Sequence, residues 1–388
     1  MGKAAVKGLI HLILIIATFV LAITTIVASR SGHYHPAEST VMPLLGLAVP
    51  VLLLCCLITS LCWALARKKW AFVPLIAFLF NWEYLTAVIR FGSAGEIPPS
   101  ALAQNRQGKP SGYLTVATYN VHNFGNETTG YSCKEIAKYM QQQHVDVLCF
   151  QEFGGNRRFP ADSLRRVLSH WQYTLIPAGD SVRGILPIAV FSRYPLAGGR
   201  FITYPHSANC SMTCDIILGT DTLRLLNNHL QTTSVSQNRK KWERELATDN
   251  TRREAQAVQD AAETLHENFV KRAAQTDSIC HLAIASPHPV LVCGDFNSLP
   301  SSYTYYQLSE ILKDGFKTGG HGYMYTYRYG KRLLRIDYAF HSPELDCIDY
   351  RSPSLDLCSD HNPVLFTVKY GVTTDYHGLA QIYSISKY

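Results

Sequence analysis

The chain has 388 residues, 47% of them apolar and 17% charged, and carries a formal net charge of +7. That length exceeds the ~250 to 300 residues at which single cores stop growing, which excludes a lone small domain. The eleven cysteines form no pair of CxxC motifs, which excludes a zinc ribbon, and there is no internal repeat or low-complexity segment.

The apolar residues are unevenly distributed. Gly8 to Ala28 contains no Asp, Glu, Lys or Arg and reaches the ~20 residues that a helix needs to cross a bilayer. Met42 to Ala66, with Pro43 and Pro50, is a second such stretch. A cleaved signal peptide competes for the first, given Lys3 and Lys7 before it, but its apolar region is longer than the usual ~7 to 15 residues. Ala71 to Ile89 is interrupted by Asn81 and Glu83, and a charge near a helix centre costs about 2.5 to 3.5 kcal/mol on insertion scales. It spans, or it lies in the interface with Trp82 and Tyr84 at headgroup level. Lys3, Lys7, Arg67, Lys68 and Lys69 flank these segments, so much of the positive charge reports topology and little of it points to nucleic acid. The same charges predict a multi-pass protein of the cytoplasmic (inner) membrane with everything after Phe91 outside the cytoplasm; failure of the third stretch to span reverses that side. The organisation expected is a membrane region over residues 1–92, a Gly/Pro/Ser/Gln-rich linker over 93–112, one soluble domain over 113–370 and an uninformative tail over 371–388.

In the soluble part, Tyr113 to Tyr119 is a strand that hands over to Asn120-Val121-His122-Asn123. Ser132 to Glu135 has the form of a capping box for a helix towards Gln143. Val145 to Phe150 is a buried strand followed by Gln151-Glu152. Strand, helix and strand in this rhythm predict an α/β protein. Further strands are expected at Trp171 to Pro177, Ile185 to Ser192 and Phe201 to Tyr204, and a hairpin at Asp215 to Leu226 leads into Asn227-Asn228-His229. Cys210 and Cys214 are near enough in sequence to pair in an oxidising compartment, though spacing alone does not show it. After a charged interval, Ser234 to Asn250, Thr251 to Glu254 reads as a second capping box. Ala255, Val258, Ala262, Leu265 and Phe269 form the apolar face of its helix, and Arg252, Arg253, Lys271 and Arg272 read as a solvated one.

Pro289 to Pro300, PVLVCGDFNSLP, is a strand buried on both faces that delivers Asp295 and Asn297 at its carboxyl end, on one side by strand alternation. An ordinary Asp-Asn turn is the competing reading. A helix follows to about Asp314; Leu334 to Phe340 is a strand containing Asp337, and Ser359-Asp360-His361-Asn362-Pro363 precedes a last strand, Val364 to Tyr370. The tyrosines at 303–306 and 323–327 can stack on bases, sit in a lipid interface, or pack. Asn120, Glu152, His229, Asp295 with Asn297, Asp337, and Asp360 with His361 thus recur at strand ends, which open α/β architectures gather into one crevice.

The segments TYNVHNF, LCFQE, NNHL, GDFNSLPSS, RIDYAF and SDHNPV, in that order from Thr118 to Val364, resemble the endonuclease/exonuclease/phosphatase superfamily (DNase I-like). The resemblance implies a four-layered α/β/β/α sandwich behind the N-terminal transmembrane helices. It implies a divalent-metal-dependent phosphoesterase, endonuclease-like, with sphingomyelinase/phospholipid or inositol-phosphate hydrolysis as the alternative; a catalytically idle, membrane-tethered binding module is the rival from another class. By motif, Glu152 binds the metal with Asn120 and Asp360 close to it, and Mg²⁺, or else Mn²⁺ or Ca²⁺, is the expected ion. Asp295 and Asn297 position or activate water and contact the phosphate; His361, oriented by Asp337, and His229 face the scissile phosphate. The partners implied are a phosphate-ester substrate, whether nucleic acid, nucleotide or phospholipid head group, and the lipid bilayer; no protein partner is inferred. Ser192-Arg193-Tyr194-Pro195 also matches a family segment and reads as structural.

Overall fold

The computed structural model describes residues 3–93, 95, 96, 98, 112–177, 184–233, 251–329 and 331–371. Most of the expected linker, the interval 234–250 and the tail beyond 371 lie outside the described residues, as do the side chains of residues 251–253 and with them the second capping box.

The chain opens with α1 (Lys3–Ala28), α2 (Val41–Leu65), α3 (Phe72–Phe80) and α4 (Trp82–Val88), then β1 (Ile89–Arg90), β2 (Tyr113–Asn120), α5 (Tyr131–Gln142), β3 (Val147–Gln151), α6 (Ala161–Val167), β4 (Tyr173–Leu175) and β5 (Ile188–Ser192). It continues with β6 (Leu196–Thr203), β7 (Cys210–Leu218), β8 (Asp221–His229), α7 (Thr251–Ile284), β9 (Val290–Asp295), α8 (Tyr303–Ile311), β10 (Lys313–Asp314), α9 (Gly315–Gly319), β11 (Gly322–Tyr323), β12 (Asp337–His341), β13 (Asp346–Arg351) and β14 (Val364–Lys369). Among the described residues there are two six-stranded sheets, ordered β13-β14-β2-β3-β5-β4 and β10-β12-β9-β8-β7-β6. Their inner faces meet through Val116, Val147, Val190, Leu225, Leu291 and Phe366. Ile136, Met140 and Leu164 of α5 and α6 cover the first sheet through Leu148 and Phe191, while Ile279 and Leu308 of α7 and α8 cover the second through Val292 and Phe340. The result is the expected α/β/β/α sandwich, because the strands at its centre are apolar on both sides.

Several local expectations need correcting. Ser132 is not a cap: it lies inside α5, and its N–H and hydroxyl both donate to the Glu127 carboxylate, 2.8 and 2.5 Å away, so Glu127 serves the helix start from outside. Ala255 and Val258 are exposed; of the expected face Phe269 is buried, and α7 buries Asn268, Arg272, Ala273, Thr276 and Ile279 beside it. Arg272 is therefore in the interior, not on a solvated face. Cys210 and Cys214 are free; four residues apart on one extended strand, they stand ~13 Å from each other, too far for a disulfide. Arg193 pairs with the buried Asp146 at 2.9 Å, which fits a structural role for its segment.

Helices α1 and α2 are long and apolar enough to cross a membrane, while the third stretch bends by 66° between α3 and α4. Asn81, buried at the bend, donates to the carbonyls of Thr25 and Ala77 at 3.2 and 3.1 Å while its Oδ1 has no partner, so the interruption read from the sequence is a break tied to α1 through the amide nitrogen. Trp82 is exposed, but Tyr84 is buried against the sandwich rather than at headgroup level. The ends of these helices dock on the sandwich. Ser31 Oγ donates to the Ser301 carbonyl at 2.6 Å, and Ser301 Oγ to the Gly46 carbonyl at 2.7 Å. Ala28, Val49, Tyr84 and Val88 cluster with Leu299. Arg335, fully buried and bidentate on Asp314 at 2.7 and 2.8 Å, also donates to the Ala87 carbonyl. The tyrosines of the 303–306 run pack: Tyr306 lies 4.1 Å from the ring of His33, Tyr303 stands edge-on to His35, and Tyr305 is buried in the core.

Candidate active site

Strand register explains why distant residues meet. Parallel β2 and β3 end together, with Asn120 opposite Gln151. Parallel β8 and β9 do the same, with His229 opposite Asp295. Antiparallel β12 starts where β9 stops, pairing Asp337 with Asp295, and β14 starts beside the end of β2. One rim of the sandwich therefore carries Asn120, Glu152, His229, Asp295, Asp337 and the 359–361 loop, which Ser359 fixes by donating to the Asn120 carbonyl. Gly294 makes the approach possible. Its φ is +140°, and a Cβ there would stand 1.9 Å from the Asn228 carbonyl oxygen. Below the rim, Asn227 joins the sheets, accepting from Gln151 at 2.6 Å and donating to the Phe150 and Ala189 carbonyls.

At the centre, Asn120 Nδ2 donates to Asp295 at 3.0 Å and to Glu152 at 3.3 Å. His229 Nε2 lies 3.7 Å from Asp295 and 3.9 Å from Glu152. His361 Nδ1 sits 2.9 Å from Asp337 Oδ2, while its Nε2 faces Asp295 at 3.7 Å and Asp360 at 3.9 Å. Thr326 Oγ1 accepts from the Asp337 N–H, holding that carboxylate in place. Asp295 Oδ1 accepts from the Asn297 N–H at 2.9 Å, and Asn297 Nδ2 donates to the Leu230 carbonyl. Strand alternation does not bring Asn297 to this side: β9 ends at Asp295, and Asn297 reaches the site through a left-handed backbone with φ 49°. His122, Asn123, Phe124 and Glu152 are also left-handed, a concentration of unfavourable backbone along this rim.

The electrostatics separate the carboxylates. Burial pushes Glu152 towards the neutral form, but the hydrogen bond of His122, the charge of His229 and the Asn120 amide outweigh it and hold the carboxyl at about 2. Burial likewise works against a charged His361, yet Asp337, and then Asp295, raise it to about 10. Burial raises Asp337 despite the charge of His361. The rim thus combines a firmly ionised Glu152 with a protonated imidazole.

Three participants are absent from the expected set. His122 Nδ1 approaches Glu152 at 3.5 Å; it stands within TYNVHNF, but only its left-handed backbone turns it inward. Tyr327 lies edge-on to His361 with ring centroids 5.3 Å apart. Arg272, 2% exposed, donates to the Gln231 carbonyl at 2.7 Å and to Ser298 Oγ at 3.2 Å, and its Nη2 has no hydrogen-bond partner. Burial lowers it to about 9, against the opposing charge of Asp295. All of these open on one cavity of about 560 Å³.

A model of the endonuclease/exonuclease/phosphatase family matches residues 117–361. The chain belongs to that family. A second model, for a domain of unknown function, matches residues 11–88, and no curated protein matches. Among solved structures, an endonuclease/exonuclease/phosphatase from Bacteroides vulgatus is 16% identical with a TM-score of 0.48, over 66% of this chain and 98% of that one. A humanized D. rerio TDP2 is 15% identical with a TM-score of 0.47, over 67% and 100%. The human Nocturnin catalytic domain with bound sulfate is 17% identical with a TM-score of 0.45, over 66% and 93%. The family match and the α/β/β/α sandwich agree with one another.

Proposed function

We propose that the chain is a membrane-anchored, divalent-metal-dependent hydrolase of phosphodiester or phosphomonoester bonds, with residues 113–370 as its catalytic domain and residues 1–92 as its anchor. The observation that carries this reading is the buried His361–Asp337 pair, 2.9 Å apart, facing Asp295 at 3.7 Å on a rim that also holds Glu152. Such a pair keeps an imidazole charged and oriented toward a phosphoryl oxygen.

The donor set suits a hard cation. The Glu152 carboxyl is held at about 2, Asp360 is one-quarter exposed and 3.9 Å from His361 Nε2, and the Asn120 amide, whose nitrogen bridges Glu152 and Asp295 while its oxygen accepts from the His122 N–H at 3.1 Å, would give up that last bond to turn its oxygen toward a cation. Glu152, Asn120 and Asp360 would hold Mg²⁺, with Mn²⁺ or Ca²⁺ as substitutes. Asp295, Asp337 and His361 also bring ligand atoms within 4.8 Å of one another, but both Asp337 oxygens face His361 Nδ1, and an ion there would break that pair. A bound ion neutralises charge developing on the phosphoryl and leaving oxygens. Asp295 takes a proton from the attacking water, with Asn297 and His229 bordering the phosphate, and His361 supplies a proton while Asp337 fixes its orientation.

The α1–α2 loop and the end of α4 both touch the sandwich, so they share one side of the bilayer. With Lys3, Lys7 and Arg67 to Lys69 at the opposite ends, the positive-inside rule puts the sandwich outside the cytoplasm.

The test is turnover of bis(4-nitrophenyl) phosphate by the full-length protein in detergent. Release of nitrophenol that requires Mg²⁺ or Mn²⁺ and stops with EDTA is expected; no release with any of Mg²⁺, Mn²⁺ or Ca²⁺ overturns the reading.

A further inference from the structure

The cavity at the active rim does not end in the sandwich. It is lined by Glu152, His229, Asp295 and His361 of the rim and also by Tyr34, Pro36, Pro43 and Leu47, all from the turn between α1 and α2 and the first part of α2. The membrane region is therefore a wall of the site itself. That wall is built in: Ser301 accepts from Ser31 Oγ and donates to the Gly46 carbonyl, and a Cβ on Gly46 would stand 2.6 Å from Ser31 Oγ. Leu47 lines the cavity, and Val51 and Leu54, one and two turns further along the same face of α2, are exposed apolar side chains, so the cavity borders the surface that lipid would cover.

The charge of the cavity narrows what enters. Arg272 is the only Lys or Arg among its described lining residues. Among the described residues, the cavity offers a single buried guanidinium with a free nitrogen, a contact for one anionic group. One anionic group next to an apolar wall is the pattern of a phosphate with a tail. The volume of about 560 Å³ lies in the range of pockets for small molecules.

We propose, resting on the phosphoesterase reading, that the substrate is a membrane-resident amphiphile: a phosphate ester whose phosphate reaches the rim beside Arg272 while its alkyl or acyl tail lies along the wall made by Pro43 and Leu47. Hydrolysis then balances with water alone. The water oxygen bonds to phosphorus, its proton passes to Asp295, the ester P–O bond breaks, and the departing oxygen takes a proton from His361.

The test uses the full-length protein in lipid nanodiscs with Mg²⁺ and a series of alkyl 4-nitrophenyl phosphates, from methyl to octyl, read as kcat/KM. A rise of about three- to four-fold per added methylene is expected until the wall is covered, and a flat series overturns the proposal. Because tails also partition into lipid, Leu47→Asp is the control: loss of the rise supports contact with the wall, and an unchanged rise overturns it. If that variant does not fold, Leu47→Ala tests the same point through a smaller reduction of the slope. Absence of turnover for every member of the series, the octyl ester included, would instead be failure of the phosphoesterase reading, and the two failures are thereby distinct.

Discussion

Asp337 decides what His361 can do. Burial alone would make that imidazole neutral, and the carboxylate 2.9 Å away reverses the sign, raising it to about 10. Relative to the ordinary value of 6.5 this stabilises the fold fully below that pH, and the contribution is lost as pH rises through about 10. A proton donor with this property should give a kcat that falls at the alkaline end; Asp337→Asn, which removes the charge, should move that fall to lower pH in a pH–rate profile. Asp295→Ala and His361→Ala should each reduce kcat by ~10² or more with unchanged circular dichroism, the scale of one general acid or base. Arg272→Met keeps the bulk and removes the charge, and should raise KM more than it lowers kcat. Most of this site was legible from residue type at strand ends. Asn297, His122 and Arg272 were legible only in part. The first two depend on left-handed backbone that no alternation pattern reveals, and the third on what α7 packs against, which helical periodicity does not specify.

Elements show the same division between pattern and context. The strands were readable because the runs at Val147 to Gln151 and Val290 to Asp295 are buried on both faces, whereas β13, which carries Asp346, Asp349 and Arg351, gives no such signal. The helix start at Tyr131 was misread because its acceptor, Glu127, precedes the helix instead of beginning it. Two element-level outcomes follow. Gly294→Ala would force a methyl group onto the Asn228 carbonyl between β8 and β9 and should cost at least ~1 to 3 kcal/mol in denaturant unfolding. Arg335→Met leaves Asp314 buried without its partner and should cost about 3 to 5 kcal/mol, loosening the junction with Ala87 at the same time.

At the scale of the whole molecule, the sequence divided the chain into membrane and soluble parts and placed a linker between them, but hydropathy says nothing of whether the parts touch. They do, through Ser31 and Ser301, through Leu299 among Ala28, Val49 and Tyr84, and through Arg335. The proposed topology, with the sandwich outside the cytoplasm, predicts that a reporter fused after Tyr388 and active only in the cytoplasm is silent, and activity there would reverse that topology. The bonds that Ser301 makes to Ser31 and Gly46 also tie the rim to the helices beside it. On the proposed membrane-anchored reading that junction sets the height of the rim above the bilayer, and encounter with a lipid-borne target would be a two-dimensional event. Turnover then follows the number of target molecules per unit area of membrane: mixing in inert lipid slows the enzyme, whereas diluting the same vesicles with buffer leaves each molecule working at its former rate.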